Sequence, residues 1–337
     1  MTKRNMIPES NGLYRVNMKE KVSKRKIFKR ILLFFLCILA IGVIFQFTSN
    51  FIGREKISSS LYYAKVDGQK MEYEYSGSGD YTIVFDGSLG TGLQQWRQIT
   101  KAIQEELEVK TFIYNRQGYG FSAINGESSV KEQAEDLKIL LRKAGVSGKI
   151  ILVGEEYGSL VMTNFAKLYP ENVSAMLLLK PLNEDYVKSD KYKKENQWTY
   201  YKSKLETIGT YFGLTTLLDY FDLDYSIDRY EEYLDEYSKE EFDILKTKTN
   251  YRKAIENELG NLYSYKETSQ VDGLMAGKPL YIISNDENDK LAKLGDSELT
   301  TVYKTKSKEI ISVTDKDAIV NAISNILRER KKIDKNS

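Results

Sequence analysis

One stretch of this 337-residue chain restricts its fold more than any other: between residues 31 and 52 there is no charged side chain. Residues 31–45 are almost entirely Ile, Leu, Phe, Val and Ala, apolar on every helical face. That pattern suits lipid on all sides and not a helix with one face in water. The full uncharged stretch meets the roughly 20 residues that a helix needs to cross a bilayer. Ten Lys and Arg side chains crowd residues 1–30 against only Glu9 and Glu20. That segment carries +8 within a net charge of +2, so the remainder is at −6. Basic flanks stay in the cytoplasm, which puts the chain from Arg54 onward outside. A cleaved signal peptide is the competing reading. It would have a shorter apolar run and small residues at the cleavage site, and residues 45–51 contain no Ala-x-Ala pattern. The expectation is an uncleaved, single-pass anchor in the cell membrane: a basic cytoplasmic tail at 1–30, a transmembrane helix at 31–52 and a linker at 53–60.

The rest of the composition acts by exclusion. Lys+Arg (50) and Asp+Glu (48) nearly cancel, so no nucleic-acid partner is expected of the body. The chain has no histidine, so no imidazole can act as general base, proton shuttle or metal ligand. The single Cys37 lies in the apolar run and could supply only one zinc ligand. No cofactor and no metal are expected. A body without cysteine needs no disulfide in an oxidising compartment, which fits a bacterial cell surface.

Beyond the anchor, strand-like and helix-like segments alternate. Asp67-Gly68 sits between two alternating runs, the signature of a two-residue hairpin. Short β-rich runs at 81–85, 109–114, 149–153 and 173–179 are separated by helical spacing at 93–107, 130–144 and up to Tyr169, where Pro170 stops it. Residues 182–276 change texture, rich in Tyr, Lys, Glu and Asp with helical spacing throughout. Strands return at 279–284 and 301–305, and a helix closes the pattern at 315–328 before a charged tail at 329–337. Buried strands separated by helices imply a mostly parallel sheet covered on both faces.

Three loops stand at the ends of these strands: Asp86-Gly87-Ser88, then Asn115-Arg116-Gln117-Gly118-Tyr119-Gly120-Phe121-Ser122, then Gly154-Glu155-Glu156-Tyr157-Gly158. Their order and spacing resemble the α/β-hydrolase fold family. The resemblance covers 61–327, with a core at 61–181 and 277–328 and a helical cap at 182–276. It implies that the third loop is the nucleophile elbow, usually Gly-x-Ser-x-Gly. Glu156 then stands at the nucleophile site and Asp86 where the first loop usually has histidine. Asp286 matches the acid site, with Asp289 second, and the base site falls at Lys308 or Glu309. The oxyanion-hole amides would come from Ser88 or Leu89 and from Tyr157.

A possible acid thus remains while nucleophile and base are gone, and the acid alone only orients a base. Some relatives in the family, haloalkane dehalogenases and epoxide hydrolases, carry an Asp at the elbow and use a histidine to clear the ester. Glu156 has no such partner. Ser159 and Ser88 are the other hydroxyls near the site, with packing, capping and turn roles expected. Glu155, Glu156, Asp86 and Asp286 could also gather at the sheet edge, as a Ca²⁺ site or an acid/base pair. The expected function is a catalytically inactive pseudohydrolase that binds a small ligand under its cap or scaffolds a protein partner. The alternative is an active hydrolase, of esters or acyl groups or through a carboxylate nucleophile.

Overall fold

The computed structural model describes residues 23–57, 62–221, 231–286, 289–307 and 310–336. The chain divides into two compact units that part between Ile41 and Gly42. Helix α1, Lys24–Ile57, runs through the apolar stretch and covers the first part of the expected linker. Among the described residues it is the one helix long and apolar enough to cross a membrane, over Lys24–Thr48.

The body is built on an eight-stranded sheet. β1 (Tyr62–Val66) and β2 (Gln69–Gly77) form the hairpin, turning through Asp67 and Gly68, both at positive φ. Two consecutive left-handed residues match the right-handed twist of the strands they join. β3 (Tyr81–Asp86), β4 (Lys110–Tyr114), β5 (Lys149–Glu155), β6 (Val173–Leu179), β7 (Leu280–Ser284) and β8 (Thr300–Lys304) complete it. The order is β1-β2-β4-β3-β5-β6-β7-β8. Among the described residues only the β1–β2 and β2–β4 pairings are antiparallel.

Period-two alternation sends side chains to two cores. Val84, Leu152, Met176 and Ile282 meet helices α3 (Val130–Lys143) and α4 (Tyr157–Leu168) on one face. Phe85, Ile151, Leu177 and Ile283 meet α2 (Arg97–Glu106) and the closing helix on the other. α3 begins at a capping box, in which Ser129 and Glu132 satisfy each other's backbone amides.

The cap contributes α5 (Glu184–Lys188), α6 (Asp190–Thr210), α7 (Leu214–Tyr220), α8 (Glu236–Lys246) and α9 (Thr249–Tyr263). Residues 264–276, where helical spacing was expected to continue, form no helix. Tyr265 and Met275 there belong to the main core, and the buried Glu184 carboxylate accepts from the Ser269 amide and hydroxyl. After β8 come a short helix, α10 (Ile311–Thr314), and the closing helix α11, Lys316–Asn336. α11 does not end near Arg328 but continues through the charged tail. Glu329 accepts from the Tyr281 hydroxyl at 2.8 Å, and Asp334 binds Arg330, Lys149 and Tyr81. The tail's charges are therefore partners of strand residues, which its sequence alone does not reveal.

Candidate active site

The strand-to-helix turn between β5 and α4 holds Glu156 at φ +49° and ψ −109°. An L-residue held there is strained, by about 1–3 kcal/mol. The neighbouring glycines make the turn possible. A Cβ on Gly158 would collide with the Asp86 carbonyl oxygen, and one on Gly154 would stand 2.8 Å from the Gly158 oxygen. The turn is locked to its surroundings by Glu156 N–H donating to Leu179 O and Gly158 N–H donating to Gly87 O, both at 3.0 Å. Ser159 has a structural part, as its hydroxyl accepts from the Leu182 amide at 3.0 Å and donates to the Glu156 carbonyl.

Glu156 is half-buried on the wall of a cavity of about 350 Å³ beneath the cap. Leu89 and Tyr157 line the same cavity, as do Tyr192 and Ser203 of α6 and Leu259 of α9. Burial, and then the Glu156 carboxylate, push the Tyr192 phenol up from its ordinary value. Ser88 lies behind that wall, fully buried, and among the described residues its hydroxyl has no hydrogen-bond partner.

Arg116 dominates the electrostatics below the cavity. It pairs with Asp86 and, through Nε at 2.6 Å, with Glu258 of α9. It also donates to the carbonyls of Gly87 (2.9 Å) and Ser88 (3.0 Å) and lies over the rings of Tyr119 and Tyr157. Burial opposes its charge, but Asp86 and Glu258 hold the guanidinium well above its usual value. The rest of the second loop is a knot around Asn115. Its side chain accepts from Leu93 N–H and donates to Glu72, and its carbonyl accepts from Ser122 Oγ. A Cβ on Gly120 would run into both Asn115 and Glu72.

These geometries can be set beside known proteins. Residues 81–207 match a family model described as alpha/beta hydrolase fold. An uncharacterized protein of Bacillus subtilis strain 168, YqjL, is 30% identical over 121 residues, 34% of this chain and 46% of that protein. The chain thus matches about half the length of that relative. The body superposes on an epoxide hydrolase from Vigna radiata with a TM-score of 0.61 at 14% identity, covering 80% of this chain and 98% of the other. For the epoxide hydrolase CorEH the values are 0.59 and 14%, over 80% and 99%. The chain has the α/β-hydrolase fold.

In this α/β-hydrolase fold the remaining expected positions are dispersed. Asp286 is exposed in the loop after β7, its amide donating to Ser284 Oγ, and it is not among the residues that line the cavity. Asp289 caps the short helical turn that follows, accepting from Leu291 N–H at 2.9 Å. Lys308 and Glu309 lie outside the described residues. Two of the four carboxylates considered as a cluster are held by separate buried partners. Asp86 goes to Arg116, whereas Glu155 turns to the opposite side of the elbow. There Glu155 accepts from Gln95 Nε2, from the Ser312 hydroxyl and from the Ile311 amide. Burial pushes Glu155 up to about 7, against those hydrogen bonds. Among the described residues no three His, Cys, Asp or Glu side chains are placed to hold a metal ion.

Sequence reasoning did not single out Arg116 and Glu258 as a pair, nor Glu155 as a buried carboxyl. A signal existed for Glu258. It sits on the stripe made by Ala254, Ile255 and Leu262, so a charge lies within an apolar helical face. Such a charge needs a buried partner.

Proposed function

We propose that this chain is a single-pass membrane protein whose hydrolase-fold body lies outside the cytoplasm and binds a small ligand under the cap without turning it over. The observation that carries the reading is Glu156 in the strained elbow position of a chain without histidine. A serine mechanism needs a base to take the hydroxyl proton, and no imidazole exists to do so. An attacking Glu156 would form an ester to the substrate carbon, and water would then need a base to break that ester. Arg116 cannot take that part, because a guanidinium does not deprotonate in proteins. Binding is supported by the cavity, whose volume falls at the low end of the roughly 300–1,000 Å³ typical of small-molecule sites. Anchoring is supported by α1 and by the basic cluster that precedes its apolar run.

The test uses the full chain, purified in detergent. A fluorophosphonate probe should leave it unlabelled, and short acyl esters and styrene oxide should react at the buffer rate. Labelling at Ser159 or Ser88, or turnover that vanishes in Glu156→Gln, overturns the inactive reading. For topology, protease added to spheroplasts should degrade the body and spare an N-terminal tag. The reverse pattern overturns the orientation.

A further inference from the structure

Helix α6 is unusual in being apolar on a face that no described residue covers. Trp198, Tyr201, Leu205 and Ile208 recur at alternating three- and four-residue spacing, which aligns them on one side of the helix, and the exposed Phe212 follows in the turn to α7. Trp198 is 73% exposed, Leu205 64% and Ile208 57%. Leu214 and Leu217 of α7 extend the stripe, each about half exposed. Elsewhere in the body, exposed large apolar side chains such as Tyr62, Val271 and Tyr303 stand singly. A continuous stripe of this kind marks an interaction surface.

The end of α1 indicates what covers it. At Gly42 the helix runs so close to the α6–α7 turn that a Cβ would collide with the Phe212 carbonyl oxygen. One turn later Gln46 is buried, accepting from Thr216 Oγ1 at 2.9 Å and donating to the Thr247 carbonyl at 3.4 Å. Gly42 lies six residues before Thr48, the last residue of the candidate membrane span within the uncharged stretch that runs on to residue 52. At 1.5 Å per residue the α6–α7 turn therefore meets the span about 9 Å inside its end. Amphipathic helices that lie in a bilayer interface bury their apolar face to a similar depth, about 5–10 Å.

We propose that α6 and α7 lie in the bilayer interface at the C-terminal end of the α1 span, with the Trp198–Leu217 stripe against lipid. The inference rests on the anchoring proposed above. Tyr192, Asn196 and Ser203 on the inner side of the same helix line the cavity, so a single helix separates the ligand site from the membrane.

The experiment places an environment-sensitive NBD probe on the full chain in phosphatidylcholine–phosphatidylglycerol vesicles. In a Cys37→Ser background, Ile208→Cys carries the probe, Leu217→Cys is a second position, and Lys131→Cys on α3 is the water-exposed reference. The probes at 208 and 217 should shift to the blue and be quenched at least about twofold by lipids spin-labelled high on the acyl chain. The probe at 131 should do neither. Vesicle-bound protein that resists carbonate, with probes at 208 and 217 as open to aqueous iodide as that at 131, overturns the surface proposal and leaves the anchor standing. Protein stripped from vesicles by carbonate overturns the anchor and the surface together.

Discussion

Helices α9 and α6 are neighbours in one cap, touching through stacked Tyr263 and Tyr200, yet they are held by opposite means. α9 reaches inward with polar groups. Glu258 pairs with Arg116, the Tyr251 hydroxyl donates to Gly90 O at 2.7 Å, and Asn261 donates to the Tyr157 hydroxyl at 3.0 Å. α6 turns its apolar stripe outward and lines the cavity with Tyr192, Asn196, Ser203 and Glu206, the last paired with Arg252 of α9. The difference shows that the cap is not a uniform lid. Its inner helix is fastened to the loops around the elbow and is part of the stable core. Its outer helix has a face that folding of the body does not use.

Variants can break or sharpen this contrast. The largest effect should come from Glu258→Ala, which takes one of two carboxylates from the buried Arg116 and the acceptor from the Tyr119 hydroxyl. Removing one partner of such a pair typically costs about 3–5 kcal/mol. Urea unfolding of the detergent-solubilised chain measures it, and a loss below ~1 kcal/mol would mean that α9 is not held by this pair.

Next comes a matched pair of truncations. Leu262→Ala on α9, only 4% exposed, should cost about 2–5 kcal/mol. Leu205→Ala on α6 should stay within about 0.5 kcal/mol. Equal costs would erase the contrast between the helices.

The third prediction concerns pH on the side of the elbow away from the cap. Glu155 is raised from 4.5 to about 7 in the folded chain, so its folded form holds the proton longer than its unfolded form. Its contribution to stability is complete below about pH 4.5 and is lost as pH rises through 7. At 1.36 kcal/mol per unit this is at most roughly 3 kcal/mol. Thermal midpoints across that window should fall with rising pH, and less steeply in Glu155→Gln. Some slope should persist, because burial likewise raises Glu72 to about 7 and Asp136 to about 6. An unchanged slope in Glu155→Gln would exclude Glu155 as a titrating group.

The smallest effect tests the hydroxyl link of α9. Tyr251→Phe should cost about 0.5–1.5 kcal/mol, the net worth of one hydrogen bond. Tyr201→Phe on the outer stripe should cost nothing measurable in detergent.

The sequence by itself determined the features that depend on near neighbours. The alternation around Asp67-Gly68 and the short β-rich runs each report the environment of their own segment, and the strands formed within two residues of where they were read. The glycine spacing around Glu156 specified the elbow, because only glycine fits where the Asp86 carbonyl approaches Gly158. The absence of histidine needed no structure at all. Only the tertiary structure decided which charges meet. Arg116 and Glu258 are 142 residues apart, and nothing local to either names the other. Nor could the sequence show that Asp286 is exposed while Glu155 is buried, or that the charged tail is helical with Asp334 bound to Lys149. α6 states the limit most clearly, since the spacing of Trp198, Tyr201, Leu205 and Ile208 would equally suit a face turned to the core. Periodicity records which side chains share a face. Whether that face meets protein, water or lipid is set by what the rest of the chain places beside it.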